Sequence, residues 1–170
     1  ITNILKQQGK HPISISNRLS DTSGIRQQLE LYKPKYLINA AGLTGTPNID
    51  WCDQHKTETI ETNVIYPLAL CHMCRELGIH LTLFGSCGIF SGDDIRTDEE
   101  RGDYTDKFYS EARIYLENMA RHYPDMLYLR INYPLSSCTN PKNLLQKIAH
   151  FTRVSNVSLS ITCVDSLFPM

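Results

Sequence analysis

The sequence lacks the features of several large protein classes. Its net charge is only −1, so it carries no excess of positive charge for binding nucleic acid or an anionic membrane surface. No apolar run approaches the roughly 20 residues of a membrane span, and no signal-peptide pattern opens the chain. We therefore predict a cytoplasmic protein with no nucleic-acid partner and no membrane partner.

Cysteine occurs six times, but without the pattern of a disulfide scaffold or a metal centre. The cysteines are spread through predicted helices and strands, which indicates a reduced intracellular protein. Cys71 and Cys74 form one close pair, and the chain has no second pair to complete a metal site. We interpret this pair as helix packing and predict no metal.

A glycine-rich dinucleotide loop of the Gly-x-x-Gly-x-x-Gly type is also absent. The composition, with 41% hydrophobic residues in 170, suits one domain with a substantial core. Residues 1–9 are typical of the second half of a helix that ends at Gly9, and residues 164–170 of the start of another. We therefore expect a fragment truncated at both ends and inactive alone, with the first strand and glycine loop directly before Ile1.

Strands and helices alternate along the chain. The predicted strands cover residues 11–16, 36–39, 81–84 and 127–131. The predicted helices run from Ser20 or Asp21 to about Tyr32, from Trp51 to Leu77 with interruptions near Asn63 and Pro67, from Phe108 to about Tyr123, and from Pro141 to about Phe151. This alternation predicts an α/β fold with a doubly wound parallel sheet and helices on both faces. Ligands bind such sheets at the carboxyl ends of the strands.

Tyr109 and Arg113 lie one turn apart on the same face of a predicted helix. A cation about 5 Å away favours the phenolate form by roughly 3 kcal/mol at an effective dielectric of ~20. A tyrosine in that setting can hand a proton to a developing alkoxide. The alternative is a solvated Tyr–Arg pair on an ordinary amphipathic helix.

Several longer stretches resemble the extended short-chain dehydrogenase/reductases. More closely, they resemble the UDP-4-keto-6-deoxyglucose 3,5-epimerase/4-reductases of nucleotide-rhamnose synthesis. The matching stretches are Asn39–Cys52, Glu61–Val64, Phe108–Ser110, Pro134–Ser137 and Asn140–Asn143. The resemblance implies an NAD(P)-binding Rossmann domain over residues 1–170, with a carboxyl-terminal substrate domain mostly absent. It also implies a nucleotide-sugar substrate and NADP(H) as the cofactor, with NAD(H) as the alternative.

The same resemblance implies roles for the site residues. Ser86 would hold the substrate C4 oxygen beside the phenol, Tyr109 would protonate that oxygen, and Asn63 would belong to the same catalytic group. Because Pro67 has no N–H, the carbonyl of Asn63 loses its helical donor and could hold a relay water; a merely kinked helix is the alternative. The family has lysine where this chain has Arg113, which keeps the charge but cannot pass on a proton. We therefore predict weakened reductase chemistry.

The epimerase activity depends on a cysteine and a distant lysine in the family. Lys147 falls at the position of the lysine. Position 88, where the cysteine would stand, is glycine, and Cys87 comes one residue early. Because a one-residue slip at a strand end turns a side chain in another direction, the 3,5-epimerase activity stays open.

Binding residues are assigned from the same positions. Arg18 follows the strand predicted at residues 11–16, which would be the second strand of a complete fold. In that position it would meet a 2′-phosphate, which favours NADPH; an exposed surface arginine is the alternative. The other predicted cofactor-binding residues are Ala40, Ala41, Gly42, Tyr109, Arg113 and Pro134. The predicted substrate-binding residues are Thr44, Trp51, Ser86, Ser136 and Asn143, although Trp51 could instead pack under its loop.

We predict NADPH-dependent reduction of a 4-keto-6-deoxy nucleotide sugar, with 3,5-epimerase activity as a second possibility. A non-catalytic, nucleotide-binding regulatory relative is the main alternative, and a plain NAD-dependent epimerase is another. A homodimer is left open, and the sequence does not set the nucleotide base.

Overall fold

Parallel strands flanked by helices form the fold of the computed structural model, which describes residues 1–92, 94–137, 143–153 and 160–167. The helices are α1 (Thr2–Gln7), α2 (Thr22–Tyr32), α3 (Trp51–Gln54), α4 (Lys56–Ile60), α5 (Tyr66–Leu77), α6 (Phe108–Ala120), α7 (Leu144–Ala149) and α8 (Val164–Leu167). A π-helical segment, Glu61–Ile65, joins α4 to α5. The strands are β1 (Tyr36–Asn39), β2 (His80–Ser86) and β3 (Met126–Ile131). Within this described part, no helix has the length and apolar character needed to cross a membrane.

The chain forms two compact units. The larger unit is Ile15–Arg130, and the smaller one combines Ile1–Ser14 with Ile131–Met170. The strands lie in the order β1-β2-β3, and β1 pairs with β2 in parallel, from Tyr36 opposite His80 to Asn39 opposite Leu83. The predicted parallel α/β fold with flanking helices is therefore confirmed.

The core of the larger unit lies between the sheet and its helices. Burial alternates along β2, so that Leu81 and Leu83 face inward and are each 1% exposed. Leu116 of α6 and apolar residues of α2 and α5 join the same cluster. Each fully buried leucine contributes roughly 1.5–3 kcal/mol of hydrophobic stabilisation. The strand predicted at residues 81–84 is therefore present, and its alternating burial contributes to the core.

Local signals in the sequence set the ends of two helices. The carboxylate of Asp21 accepts a hydrogen bond of 2.9 Å from the backbone N–H of Gly24, which caps α2 as predicted. Gly78 ends α5 in the left-handed conformation with φ 64°, where a residue without Cβ is favoured.

The predicted interruptions of the long helical region are present. The segment is α-helical up to Ile60 and then widens into the π-helical turn, in which the backbone N–H of Tyr66 donates to the carbonyl of Glu61. Pro67 follows in the first turn of α5. The wide turn directs Asn63 into the interior, where it is 0% exposed. A π turn inside a helix is frequent at functional sites.

Three predicted elements differ from the structure. Residues 11–16 form no strand, because alternation alone does not supply a neighbouring strand to pair with. The Tyr109 helix ends at Ala120 and not at Tyr123, since the chain turns before Pro124. The helix predicted from Pro141 to Phe151 is shorter in the structure, where it is α7; Pro141 lies outside the described residues. Asn143 caps α7 by accepting a hydrogen bond of 3.4 Å from the backbone N–H of Leu145.

The smaller unit contains α1, α7 and α8. Helix α1 ends before Gly9, which adopts φ 72°, as predicted. Leu135 and Cys163 form an isolated parallel bridge directly before α8. The helix predicted to begin near Val164 is present.

Candidate active site

The predicted catalytic side chains of the larger unit come from three places. Ser86 is the last residue of β2, Asn63 lies in the π-helical turn, and Tyr109 and Arg113 lie in the first two turns of α6. Helix α6 contacts both β2 and the π-helical segment. These elements bring the carboxyl end of β2 and the start of α6 into one region.

Arg113 lies over the ring of Tyr109. Its guanidinium carbon is 5.3 Å from the centroid of the Tyr109 ring, so the expected proximity of cation and phenol is found. The Arg113 residue is only 7% exposed, whereas Tyr109 is half-buried. The alternative of a fully solvated pair therefore does not hold for the arginine.

The buried charge of Arg113 has no counter-ion within the described residues. No ion pair there involves this guanidinium, and its Nε is buried without a hydrogen-bond partner. A buried cation without an anion is costly, which favours the arrival of a polar or anionic ligand. Gly42 makes room for the group, since a Cβ there would lie 2.7 Å from Arg113 Nη2. The Arg113 guanidinium therefore lies next to the loop after β1.

Asn63 holds that loop in place. Its Oδ1 accepts from the backbone N–H of Leu43, and its Nδ2 donates to the carbonyl of Leu43, each at 2.8 Å. Both polar atoms of the side-chain amide are therefore engaged in holding the loop after β1. Sequence reasoning missed this contact, because the two residues are 20 positions apart and no local motif pairs them.

The loop after β2 is attached to α6 beside Tyr109. Ser86 Oγ accepts from the N–H of Gly88 at 3.0 Å, and Ser110 Oγ donates to the carbonyl of Gly88 at 2.6 Å. Ser110 is 1% exposed. Sequence reasoning did not assign Ser110; its adjacency to Tyr109 is the only signal that could have done so.

The start of α6 has a second attachment. Asp53 of α3 accepts a hydrogen bond of 2.8 Å from the backbone N–H of Phe108, the first residue of α6. Lys107 Nζ lies 2.6 Å from Asp50 Oδ1 and 3.6 Å from Asp53 Oδ2. The hydrogen bond and ion pair hold the Tyr109 helix to α3, which begins at Trp51.

Cys87, the residue after Ser86, is half-buried. Burial raises the pKa of its thiol, while the nearby Arg130 lowers it and Glu117 raises it. A thiol with a raised pKa stays protonated at neutral pH and is a poor base. A Cβ at Gly88 would lie 3.3 Å from Ser86 Oγ, so a side chain at position 88 would adjoin the serine hydroxyl.

The buried carboxylate of Glu117 in α6 pairs with two arginines. Glu117 Oε1 is 2.5 Å from Arg130 Nη2 and 2.7 Å from Arg121 Nη2. Arg130 also donates to the carbonyls of Thr97 and Glu100, which ties the acidic loop before α6 to the core. This loop anchor was not predicted, because its partners lie far apart in the sequence.

Tyr128 of β3 packs against β2 directly before Ser86. A Cβ at Gly85 would clash with Tyr128 Cε1, so a larger residue there would require the tyrosine ring to shift. The Tyr128 hydroxyl is buried without a partner in the described residues. Burial raises the pKa of this phenol, and Arg113 opposes the shift. No sequence signal marked this residue.

Several predicted binding residues of the larger unit are accessible. Ala40, Ala41, Gly42, Thr44 and Arg18 are all exposed. The backbone after β1 can therefore approach a ligand, and its first turn is fixed by Asn39, whose Oδ1 accepts from the N–H of Ala41 at 3.0 Å.

Trp51 has a packing role as well as the predicted binding role. Its indole stacks on His55 with ring centroids 3.7 Å apart and planes within 2°. A Cβ at Gly45 would lie 2.5 Å from the Trp51 Cβ, so the loop is closely packed there. The half-buried indole keeps part of its surface accessible.

The remaining predicted site residues belong to the smaller unit. Lys147 and Pro134 are exposed. Ser136 Oγ donates to Asp165 Oδ1 at 2.9 Å, and Asn143 Nδ2 donates to the carbonyl of Ser136 at 2.6 Å. Both predicted polar ligands of the sugar thus make hydrogen bonds within this unit.

The Cys71–Cys74 pair packs in the core. Cys71 Sγ lies 3.9 Å from Met126 Sδ, and burial raises the pKa of Cys71 to about 11 and that of Cys74 to about 12. Among the residues the structure describes, no group of His, Cys, Asp or Glu side chains is placed to hold a metal ion. The packing interpretation of this pair is consistent with both observations.

Comparison with known proteins gives one family and several relatives. Residues 5–136 match the model of the NAD dependent epimerase/dehydratase family. A bifunctional dTDP-4-dehydrorhamnose 3,5-epimerase/dTDP-4-dehydrorhamnose reductase of Arabidopsis thaliana is 38% identical over 164 residues, which are 91% of this chain and 54% of that protein. The crystal structure of the L780 UDP-rhamnose synthase from Acanthamoeba polyphaga mimivirus matches with a TM-score of 0.87 and 26% identity, over 96% of this chain and 62% of that one.

A third match shares the fold at lower identity. The structure of dTDP-4-dehydrorhamnose reductase from Bacillus anthracis in complex with NADP has a TM-score of 0.68 and 14% identity, over 82% of this chain and 51% of that one. The chain therefore spans about half the length of the Arabidopsis and Bacillus proteins.

Proposed function

Because the chain belongs to the NAD dependent epimerase/dehydratase family, we propose that it carries the reductase chemistry of a nucleotide-rhamnose enzyme. The reaction is NADPH-dependent reduction of the C4 ketone of a 4-keto-6-deoxy nucleotide sugar. One observation carries the proposal: the buried Arg113 guanidinium, which has no counter-ion among the described residues, lies 5.3 Å from the centroid of the Tyr109 ring and next to Gly42 in the loop after β1. The relatives named above for rhamnose synthesis support the substrate class.

The residues at this edge of the sheet fit a nicotinamide cofactor. The orphaned Nε and buried charge of Arg113 suit a polar ribose group, and the exposed backbone from Ala40 to Gly42 suits close approach of a flat ligand. Arg18 is exposed and would hold a 2′-phosphate, which favours NADP(H) over NAD(H). When bound, the cofactor supplies the hydride.

The chain's own residues would donate the proton to the ketone oxygen and stabilise the charge that results. Ser86 Oγ would donate to the ketone oxygen and hold it, and Tyr109 would transfer its phenolic proton to that oxygen as negative charge develops. Arg113, whose guanidinium carbon lies 5.3 Å from the centroid of the Tyr109 ring, would stabilise the negative charge that remains. Asn63 would keep the loop after β1 in place through its two hydrogen bonds to Leu43.

Arg113 in place of lysine is expected to slow the reaction. Arginine retains the charge but cannot release a proton after the phenol has reacted. In the complete natural protein, Arg113→Lys should raise kcat for reduction while KM for NADPH changes little. Equal kcat values for the two proteins would mean that the arginine is harmless.

The main alternative is a non-catalytic relative that binds nucleotide. Arg113 and Gly88 favour it, because each departs from the catalytic pattern. Titration of the complete natural protein with NADPH and a 4-keto sugar separates the two functions. NADPH consumption supports the reductase, and saturable NADPH binding without consumption supports the regulatory relative. A plain epimerase would retain its cofactor tightly and consume none.

We expect the 3,5-epimerase activity of this chain to be low. The raised pKa of Cys87 disfavours it as a base, whereas position 88 adjoins Ser86. We expect little exchange of the sugar C3 and C5 protons with solvent deuterium, and we expect Gly88→Cys to increase it. Lys147 is the predicted partner of that cysteine.

A further inference from the structure

Asp53 of α3 connects that helix, which begins at Trp51, to α6, the helix that carries Tyr109. Helix α6 begins at Phe108, and its N-cap residue, Lys107, makes no side-chain capping hydrogen bond. Asp53 Oδ1 supplies that acceptor from another helix, 55 positions away, at 2.8 Å from the N–H of Phe108. The first free N–H of α6 is therefore satisfied by a carboxylate of α3.

The carboxylate is also held electrostatically. Lys107 Nζ lies 3.6 Å from Asp53 Oδ2 and 2.6 Å from Asp50 Oδ1. The hydrogen bond and ion pair with Asp50 raise the pKa of Lys107, and the same contacts hold the pKa of Asp50 below its ordinary value. A negative charge beside the N-terminus of α6 also complements the positive end of the helix dipole.

Two attachments thus lie on either side of Tyr109. Asp53 binds the N–H of the preceding residue, and the hydroxyl of the following residue, Ser110, donates to the carbonyl of Gly88 at 2.6 Å. The second contact fixes Tyr109 relative to the Ser86 loop. The first fixes it relative to α3, whose first residue is Trp51 and whose Cys52 is fully buried.

We propose that Asp53 is a positioning residue for the reaction: it couples the Trp51 segment, which we assign to the sugar pocket, to the orientation of Tyr109. This inference rests on the proposed reductase function. Its physical basis is that proton transfer depends steeply on placement, since a 1 Å misplacement of a reacting group can cost about 100-fold in rate. The backbone contact to Phe108, one residue from Tyr109, is close enough to control that placement.

The test compares Asp53→Ala, Asp53→Asn and a control in the complete natural protein. The asparagine variant keeps an oxygen acceptor for the N–H of Phe108 and loses the charge. The control is Asp21→Ala, because Asp21 also caps a helix by accepting from a backbone N–H, at 2.9 Å, and lies outside the proposed catalytic group. Steady-state kinetics with saturating NADPH are measured for each.

We expect Asp53→Ala to lower kcat about tenfold or more. We expect Asp53→Asn to recover most of the loss and Asp21→Ala to keep kcat within about twofold of the unmodified protein. Two outcomes would overturn the proposal: an unchanged kcat in Asp53→Ala, or an equal fall in Asp21→Ala, which would indicate general destabilisation.

Amide hydrogen exchange separates this proposal from the proposed function. The exchange is measured without substrate, so it tests the Asp53 contact even if the unmodified protein shows no turnover. Absence of turnover would count against the reductase function and not against the contact. Faster exchange at Phe108 in Asp53→Ala, with near-normal exchange in Asp53→Asn, supports the attachment. Unchanged exchange at Phe108 in Asp53→Ala would refute it.

Discussion

Replacing Asn63 with alanine should destabilise the chain more than any comparable amide substitution on its surface. The Asn63 side chain is 0% exposed and makes two hydrogen bonds of 2.8 Å, to the N–H and to the carbonyl of Leu43. Truncation removes both bonds and leaves both backbone groups without their partner.

The magnitude follows from those two bonds. Each buried polar group left without a partner costs about 1–3 kcal/mol. Leu43 is half-buried, so water can reach part of its backbone and the lower half of that range applies. We therefore expect Asn63→Ala, which leaves two such groups, to lower the free energy of unfolding by about 2–4 kcal/mol.

Urea unfolding provides the assay, and Asn118→Ala provides the control. Fluorescence of the sole tryptophan and far-ultraviolet circular dichroism should give coincident transitions if unfolding is two-state. Asn118 also lies in a helical segment, but its Oδ1 accepts a single exposed hydrogen bond of 3.1 Å from Arg101. Its substitution should change stability by less than about 0.5 kcal/mol. Equal losses in the two variants would refute the structural role of Asn63.

Two further predictions concern packing and charge behind the site. Gly85→Ala should lower the free energy of unfolding by about 1–3 kcal/mol, because the added Cβ would clash with Tyr128 Cε1. Urea unfolding measures this loss, and Gly88→Ala is the control, because a Cβ at position 88 has more room. Glu117 is 4% exposed, and although burial raises its pKa, Arg130 and Arg121 hold the pKa below the ordinary 4.5. The stability from this pairing should therefore be complete above about pH 4.5 and disappear as pH falls through the lower folded pKa. Glu117→Gln should cost about 3–5 kcal/mol at pH 7 and remove that part of the pH dependence; an unchanged pH profile of unfolding would contradict the assignment.

Local patterns predicted the parts of the fold that depend on neighbours in the sequence. The strand predicted at residues 81–84 is present within β2, and Asp21 and Gly78 marked helix ends that the structure shows. The four-residue spacing of Tyr109 and Arg113 predicted their proximity, because helical geometry alone determines it. Alternation failed at residues 11–16, since a strand also needs a partner to pair with.

The contacts that complete the site could not be predicted in this way. Asn63 reaches Leu43, Ser110 reaches Gly88 and Asp53 reaches Phe108 across 20, 22 and 55 positions, respectively. Each depends on how helices pack on the sheet, which no local pattern encodes. The resemblance of Asn39–Cys52 to a known family indicated that the loop matters, but not which atoms hold it.

Transfer of deuterium from C4-deuterated NADPH to the sugar C4 tests the central claim most directly. The complete natural protein is mixed with the labelled cofactor and a 4-keto-6-deoxy nucleotide sugar, and the product is analysed by mass spectrometry and NMR. The proposed function predicts one deuterium at C4 and a large loss of transfer in both Ser86→Ala and Tyr109→Phe. Tight cofactor binding without deuterium in the sugar, or transfer at an unchanged rate in Tyr109→Phe, would contradict it.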